Sequence, residues 1–455
     1  MIALAGAALA AIVGWLAAGR WIRGGWPAGA ALGFAAGAGV LSLQLLAYSL
    51  LHLPWKPWLV LLPWAPLAWQ RLRQRPAFQR PAPPNWLEVL ALLAMLAAPA
   101  LWLPYERAMP LTTRGWDAWA IWLFKAKAFY LDGNVQGVLA RAGEFAWQPS
   151  YPLLVPLYGA FLHTLAGTAS DAAAKSLSPC FFFALLGVFY CLARRFTTRP
   201  AALVFTAMLA NLHMVNIVAF ELAGYADTAL SVYLLAGAGF LYAWLRDGQP
   251  SDLALASVFS SLAAWTKNEG LFFLAGVGTV AAARLAVRRI PDWRCWMAVL
   301  LPPAVTVLPW LVLRRWYHVP ASDLFAAGRL NWANLVPGIG SFAQAFQLGR
   351  YNLTFWLLLG ALLAARRAGL GAPWWILPGL AGWQMLGLLG AYAAGRNDLG
   401  WWIGTSLDRI LAQLAPLALF ASALIFGALA APAQTEHLTP RRESRNLKAK
   451  RSKTK

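Results

Sequence analysis

The chain has 455 residues, of which 60% are hydrophobic and only 12% charged, and its net charge is +21. Charged residues make up roughly a quarter of an ordinary soluble domain, so a water-soluble globular fold is excluded. In a soluble protein so large a positive charge would suggest nucleic acid. Here it comes mainly from arginines between apolar runs, the bias that orients membrane proteins, and no nucleic-acid partner is expected. Cys180, Cys191 and Cys295 lie in or beside apolar runs without CxxC spacing. They read as packed thiols, with no disulfide or zinc framework.

Apolar runs of about 16–24 residues recur from end to end, and an all-α polytopic membrane protein follows. The first run, residues 1–18, has no basic stretch before it and no cleavage site before Arg20; it reads as a retained helix, not a signal peptide. Arg20 and Arg23 place the next loop inside. Runs near 27–48 and 54–69 go out and back, delivering Arg71, Arg73, Arg75 and Arg80 to the inside. The run near 86–104 exits again, so residues 105–150 lie outside. Within them Trp116, Trp119 and Trp122 recur every third residue around Asp117. They predict an amphipathic helix at the headgroup level with the three indoles on one face.

Residues 151–166 are apolar but short, and a full crossing there would invert everything downstream. They are read as re-entrant or interfacial. Basic clusters at Arg194, Arg195 and Arg199, at Arg246, at Arg288, Arg289 and Arg294, and at Arg366 and Arg367 then fall inside. The turns at 225–227 and 267–269 and the segments 314–350 and 396–409 fall outside. The alternation predicts about thirteen spans, N-terminus outside and C-terminus inside. Residues 1–85 form the leading spans, 86–432 a membrane-embedded module, and 433–455 a basic, disordered cytoplasmic tail facing headgroups. No 20–50-residue repeat is present.

Ionisable groups in such a chain are expensive and usually pair, line a cavity or serve function. Under this topology Asp117, Asp227, Lys267, Glu269, Asp398 and Arg409 share the outer face. Each also has a plainer reading. Asp117 could pair with Lys125 or cap a helix. Glu221 and Asp227 could mark a solvated helix end, residues 267–270 a polar turn, and Asp408-Arg409 an internal pair. Arg314, Arg315 and Arg329 stand outside against the usual bias, which suits either an anionic ligand or tolerated exposed charge. His163 and His213 read as core residues, and His318, in an outer loop, as a site member. The sequence holds no GxxxxGK[ST] loop, no GxSxG and no HExxH, which sets aside direct ATP hydrolysis, serine hydrolase chemistry and zincin chemistry.

Four short segments carry a resemblance: Gly115-Trp116-Asp117-Ala118-Trp119, Gly224-Tyr225-Ala226-Asp227, Trp265-Thr266-Lys267-Asn268-Glu269-Gly270 and Ser406-Leu407-Asp408-Arg409. Their order and common side resemble the GT-C membrane glycosyltransferases, a superfamily that includes protein O-mannosyltransferases, aminoarabinose transferases and Rgt-type lipopolysaccharide sugar transferases. The resemblance covers roughly residues 86–430. It implies a polyprenyl-phosphate sugar donor, a lipid, glycan or protein acceptor, and inverting transfer at the outer face of a bacterial inner membrane. By it, Asp117 is the base on the acceptor hydroxyl and Asp227 orients substrate or a divalent metal ion. Lys267 contacts the lipid phosphate; Glu269 and Arg409 complete the substrate-binding set. The chain departs from the pattern in having three helices before the one leading to Asp117, and no acidic neighbour beside Asp117. The competing readings are a transporter or flippase of lipid-linked saccharides, which needs charges at the midplane and on both faces, and an O-antigen ligase or polymerase, which relies on outer-loop Arg and His.

Overall fold

The computed structural model describes residues 1–22, 25–73, 83–111, 115–145, 148–287, 293–321 and 330–430. The basic tail 433–455 lies outside the described residues, as do Arg23, Arg75, Arg80, Arg288, Arg289 and Arg329. Among the described residues all regular structure is helical. The chain opens with α1 (Ile2–Ala18) and α2 (Gly25–Leu50), followed by the short α3 (Pro57–Leu61) and α4 (Ala65–Arg73) and the long α5 (Trp86–Ala108). A surface segment holds α6 (Leu123–Asp132), α7 (Gln136–Ala140) and α8 (Ala142–Phe145). Next come α9 (Leu154–Ala166), α10 (Asp171–Lys175), α11 (Leu177–Phe196), α12 (Arg199–Ala210) and α13 (His213–Asn216). The helices α14 (Asp227–Asp247), α15 (Pro250–Thr266), α16 (Asn268–Val287) and α17 (Trp293–Trp316) follow. The last part comprises α18 (Leu335–Ser341), α19 (Leu348–Tyr351), α20 (Thr354–Ala368), α21 (Ile376–Ala394), α22 (Leu399–Trp402) and α23 (Asp408–Ala430).

Among the described residues eight helices are long and apolar enough to cross a membrane, or nine if the bent pair 199–210 and 213–221 is one span. The chain is thus an all-α, multi-pass membrane protein. Thirteen spans are not reached by length: α1 and α15 have 17 residues and α20 has 15. At 1.5 Å per residue such helices reach about 22–26 Å, short of a hydrocarbon core of roughly 30 Å. The expected run at 54–69 is divided among α3, a 3-10 turn and α4. The span windows of α14 and of 399–430 are 94% buried, those of α5 and α17 only 22%. The first two therefore form the centre of the bundle and the last two face lipid.

Contacts between helix ends sort them onto two faces. On one, Ser49 accepts from the Val135 backbone N–H (2.7 Å), Lys175 Nζ pairs with Glu106 (3.3 Å) and Lys267 with Asp227 (3.1 Å). On the opposite face Arg195 bonds both Asp252 oxygens (2.8 and 2.7 Å) and Asp247 (2.8 Å), clamping the turn of the α14–α15 hairpin. There too Glu88, which closes a capping box with Asn85 at the start of α5, meets Arg199 at 3.3 Å. Helix α9 spans only about 20 Å by its 13 residues. Every side chain from Leu154 to Thr164 is buried, so it is enclosed by protein rather than laid along the headgroups.

α1 and α2 pack backbone to backbone through glycines, Gly33 and Gly37 forming a GxxxG spacing that lets helices approach closely. A Cβ on Gly14 would stand 1.8 Å from the Gly33 carbonyl oxygen, and one on Gly37 1.8 Å from that of Ala10. Gly37→Leu should therefore force the hairpin apart, lowering stability by about 1–3 kcal/mol or more and the melting temperature in detergent with it. Unchanged melting would contradict this packing.

Candidate functional site

Three π-helical turns border the ionisable groups singled out by the sequence. Asp117 directly precedes the turn Ala118–Trp122, Asp227 follows the turn Ile217–Glu221 by one short loop, and Arg409 lies just beyond the turn Ile403–Leu407. Such i→i+5 turns are rare and recur at functional sites. The first also corrects the expected common face of tryptophans. Trp116 and Trp119 are exposed and meet edge to face at 4.7 Å, whereas Trp122 is wholly buried and stacks on Tyr151 at 5.2 Å. A wider turn breaks the three-residue spacing and carries Trp122 into the core.

Asp117, Arg409, Asp227, Lys267 and Glu269 form one unbroken chain of ion pairs. Arg409 Nη2 lies 2.8 Å from Asp117 Oδ2 and 2.9 Å from Asp227 Oδ2. Lys267 Nζ lies 3.1 Å from Asp227 Oδ1 and 2.9 Å from Glu269 Oε1. Asp227 is fully buried and receives a third bond from the Gln413 amide. A buried carboxylate is tolerated only when its charge and lone pairs are matched, and here Arg409, Lys267 and Gln413 match them. The two ends stay open: the Asp117 side chain is 22% exposed and that of Glu269 34%. Three carboxylates against two cations leave one negative charge, so Lys267 and Arg409 are not free cations. An anion reaching either must displace a carboxylate.

The structure thus unites all five predicted site residues, across 182 positions of sequence between Asp227 and Arg409. It also places Asp117 and Lys267 on the same side. The plainer readings fare differently. Asp117 pairs with Arg409 instead of Lys125, and its side chain caps no helix. Asp408 and Arg409 point apart, Asp408 to Arg350 and the Tyr351 hydroxyl, Arg409 to the chain of charges. Asp398 stays outside the chain and caps α22, accepting from the Trp401 N–H at 2.9 Å. His163 is buried as expected, but His213 is exposed, because the helix breaks just before it. Arg315 and His318 line a separate open hollow beside Trp316.

Four neighbours, Gln413, Tyr225, Tyr151 and Gln384, have no assigned role in the sequence. The Tyr225 hydroxyl accepts from the Asp117 backbone N–H at 3.2 Å, and the Arg409 guanidinium sits 4.5 Å over the Tyr225 ring. Burial, reinforced by the Asp117 charge, pushes the Tyr225 hydroxyl up to about 12, so it stays protonated near neutral pH. Burial likewise raises Tyr151, with the charges of Glu269, Lys267, Asp117 and Arg409 all within electrostatic reach. The Gln384 amide donates to the Glu269 carbonyl at 3.2 Å. The only advance signal was an amide inside an apolar run, at Gln413 and Gln384. Among the described residues no group of three or more His, Cys, Asp or Glu side chains is placed to hold a metal ion. Comparisons with protein families, curated proteins and solved structures return no match.

Two predictions follow from these charges. Asp227→Ala removes the buried centre of the chain and leaves Arg409 and Lys267 each with a single carboxylate, Asp117 and Glu269; it should cost more stability than Asp117→Ala at the open end. Equal shifts in detergent melting would contradict the buried centre. Lys125, on the surface segment, is buried, donates to the Gln148 carbonyl at 2.7 Å, and is pushed by burial down to about 7. An unfolded lysine titrates near 10.4. Between those values the unfolded chain binds more protons, so stability rises with pH from about 7 to about 10 and falls again as pH drops to 7. Lys125→Met should flatten that rise; an unchanged slope would contradict it.

Proposed function

We propose that the chain is a GT-C-type glycosyltransferase. It transfers a sugar from a polyprenyl-phosphate donor to an acceptor hydroxyl at the outer face of a bacterial inner membrane, with inversion. The observation that carries the reading is Asp117: an accessible carboxylate at one end of a chain of charges whose centre, Asp227 and Lys267, is buried in the bundle. The acceptor oxygen attacks the anomeric carbon, the bond from that carbon to the phosphate oxygen breaks, and the phosphate leaves with the electron pair. Asp117 takes the acceptor proton as general base. Charge on the leaving phosphate grows where Arg409 stands ready, and a fixed cation there lowers the barrier. A phosphate that takes Arg409 also releases Asp117, so donor binding frees the base.

The topology that suits this reading has thirteen crossings. Its support comes from contacts at the ends of the short helices. Arg71, at the end of α4, sits 5.8 Å from the Trp15 ring near the far end of α1, while Tyr48, near the opposite end of α2, bonds the Leu59 carbonyl at 3.0 Å. α15 returns from the Arg195 clamp to Lys267. α20 starts beside Asp408, the first residue of α23. The arginine-rich face, with Arg194, Arg195, Arg199 and Arg246, is then cytoplasmic.

Asp117→Asn should insert and fold with only a small loss of stability, yet lower transfer from polyprenyl-phosphate sugar in reconstituted membranes by about 100-fold or more. Turnover at the wild-type rate would end the assignment of Asp117 as base.

A further inference from the structure

On the other flank of α23 lies a hollow of about 870 Å³, floored by Met214 and Ile217 and edged by His213, Gln347, Arg350 and Asp408. That volume is within the range of small-molecule sites, which combine an apolar lining with a few convergent polar groups. The hollow sits where the span formed by α12 and residues 213–221 bends by 65°. Irregular backbone at membrane depth persists only where protein buries it or a cavity meets it. Two asparagines secure the break: Asn216 donates to the Ala210 and Leu212 carbonyls (both 2.9 Å), and Asn352 donates to the Asn211 carbonyl at 3.3 Å. Asn352 itself holds φ +50°, ψ −131°, a conformation that is unfavourable for a side-chain-bearing residue and tends to persist at functional sites.

We infer that this hollow binds an uncharged sugar ring. Arg350 and Asp408 pair at its edge, with 39% and 30% of their side chains exposed, so the edge is electrically neutral but rich in both donors and acceptors. A sugar hydroxyl satisfies such a pair without breaking it, accepting from the guanidinium while donating to the carboxylate. A phosphate would have to pull Arg350 away and would then face the bared Asp408, which the Tyr351 hydroxyl (3.1 Å) compensates only in part. Gln347 and His213 add planar hydrogen-bonding groups. The Trp102 ring, 6.2 Å from that of His213, adds an aromatic flank beside them. Arg409, the residue after Asp408, reaches Asp117 on the opposite flank. The hollow thus lies across α23 from the proposed base, and as a subsite for a saccharide acceptor it rests on the transferase reading; its binding of sugar does not.

Gly349 provides the test, because it lines the hollow and a Cβ added there meets no atom within 4 Å, so a large side chain can be introduced at the lining without a clash at its base. Purified full-length protein in nanodiscs is titrated with methyl glucoside, methyl mannoside and methyl galactoside, and separately with inorganic phosphate, with binding read by saturation-transfer NMR. At least one glycoside should saturate at about millimolar concentration, and Gly349→Phe should weaken it at least 10-fold with melting unchanged. Absence of saturable binding by all three glycosides, binding unaffected by Gly349→Phe, or phosphate alone competing for the site would overturn the inference. Asp117→Asn should bind the glycoside as wild type does while losing transfer. A failure confined to binding therefore leaves the transferase reading standing, and undiminished transfer by Asp117→Asn removes that reading without touching the sugar site. In an active preparation, Gly349→Phe should raise the acceptor KM and leave the donor KM in place.

Discussion

Asp227 is a carboxylate with no exposed surface at the head of one of the two most deeply buried spans of the bundle. An ion in that setting is severely penalised unless neutralised at contact distance, and this requirement organises the rest of one face. It holds Lys267 at the end of α15 and Arg409 in the first turn of α23, and through Arg409 it draws in the surface segment that carries Asp117. Four stretches that share no local sequence are thus fixed together by the solvation of one group. The two cations are fully used in doing so, and for that reason the accessible ends of the chain are acids.

The opposite face is built on the same logic with different means. Arg195 spans the α14–α15 turn with bonds to Asp247 and Asp252, and Arg199 meets Glu88 at the start of α5. The α14–α15 hairpin is consequently clamped by charge at both ends, with apolar packing between. A site placed at one end of such a hairpin is rigid in the direction that matters for proton transfer, which depends on donor and acceptor staying within hydrogen-bond reach. The hollow beside α23 shares that frame, since Asp408 and Arg409 are consecutive residues facing opposite ways.

The five charged members of the chain were legible because charge in an apolar run is costly, so each position stands out against its surroundings. The all-helical, multi-pass class was legible for the same reason in reverse. What the sequence did not disclose was the partnering: nothing local says that Arg409 prefers Asp117 to its neighbour Asp408, because that choice is made by the rotation of α23 against α14. The π turns were hidden because hydrophobic spacing does not register one extra residue in a turn, and so Trp122 was assigned to the wrong face. Gln413 and Tyr225 carry no formal charge and passed as ordinary span and loop residues. His213 was read as core because no proline or glycine marks the break at Asn211 and Leu212. Length sets a separate limit: α9 is apolar along its course, but with 13 residues it is too short to count as a span.

The central claim is that Asp117 and Arg409, which no sequence neighbourhood connects, are bound to each other at one end of the buried charges. A double-mutant cycle with Asp117→Asn and Arg409→Gln, read as unfolding free energy of the protein in nanodiscs, measures that connection directly. Contacting charged partners give coupling energies of about 0.5–3 kcal/mol, and a value in that range, favourable in sign, is predicted. Additive losses, with coupling indistinguishable from zero, would contradict the account.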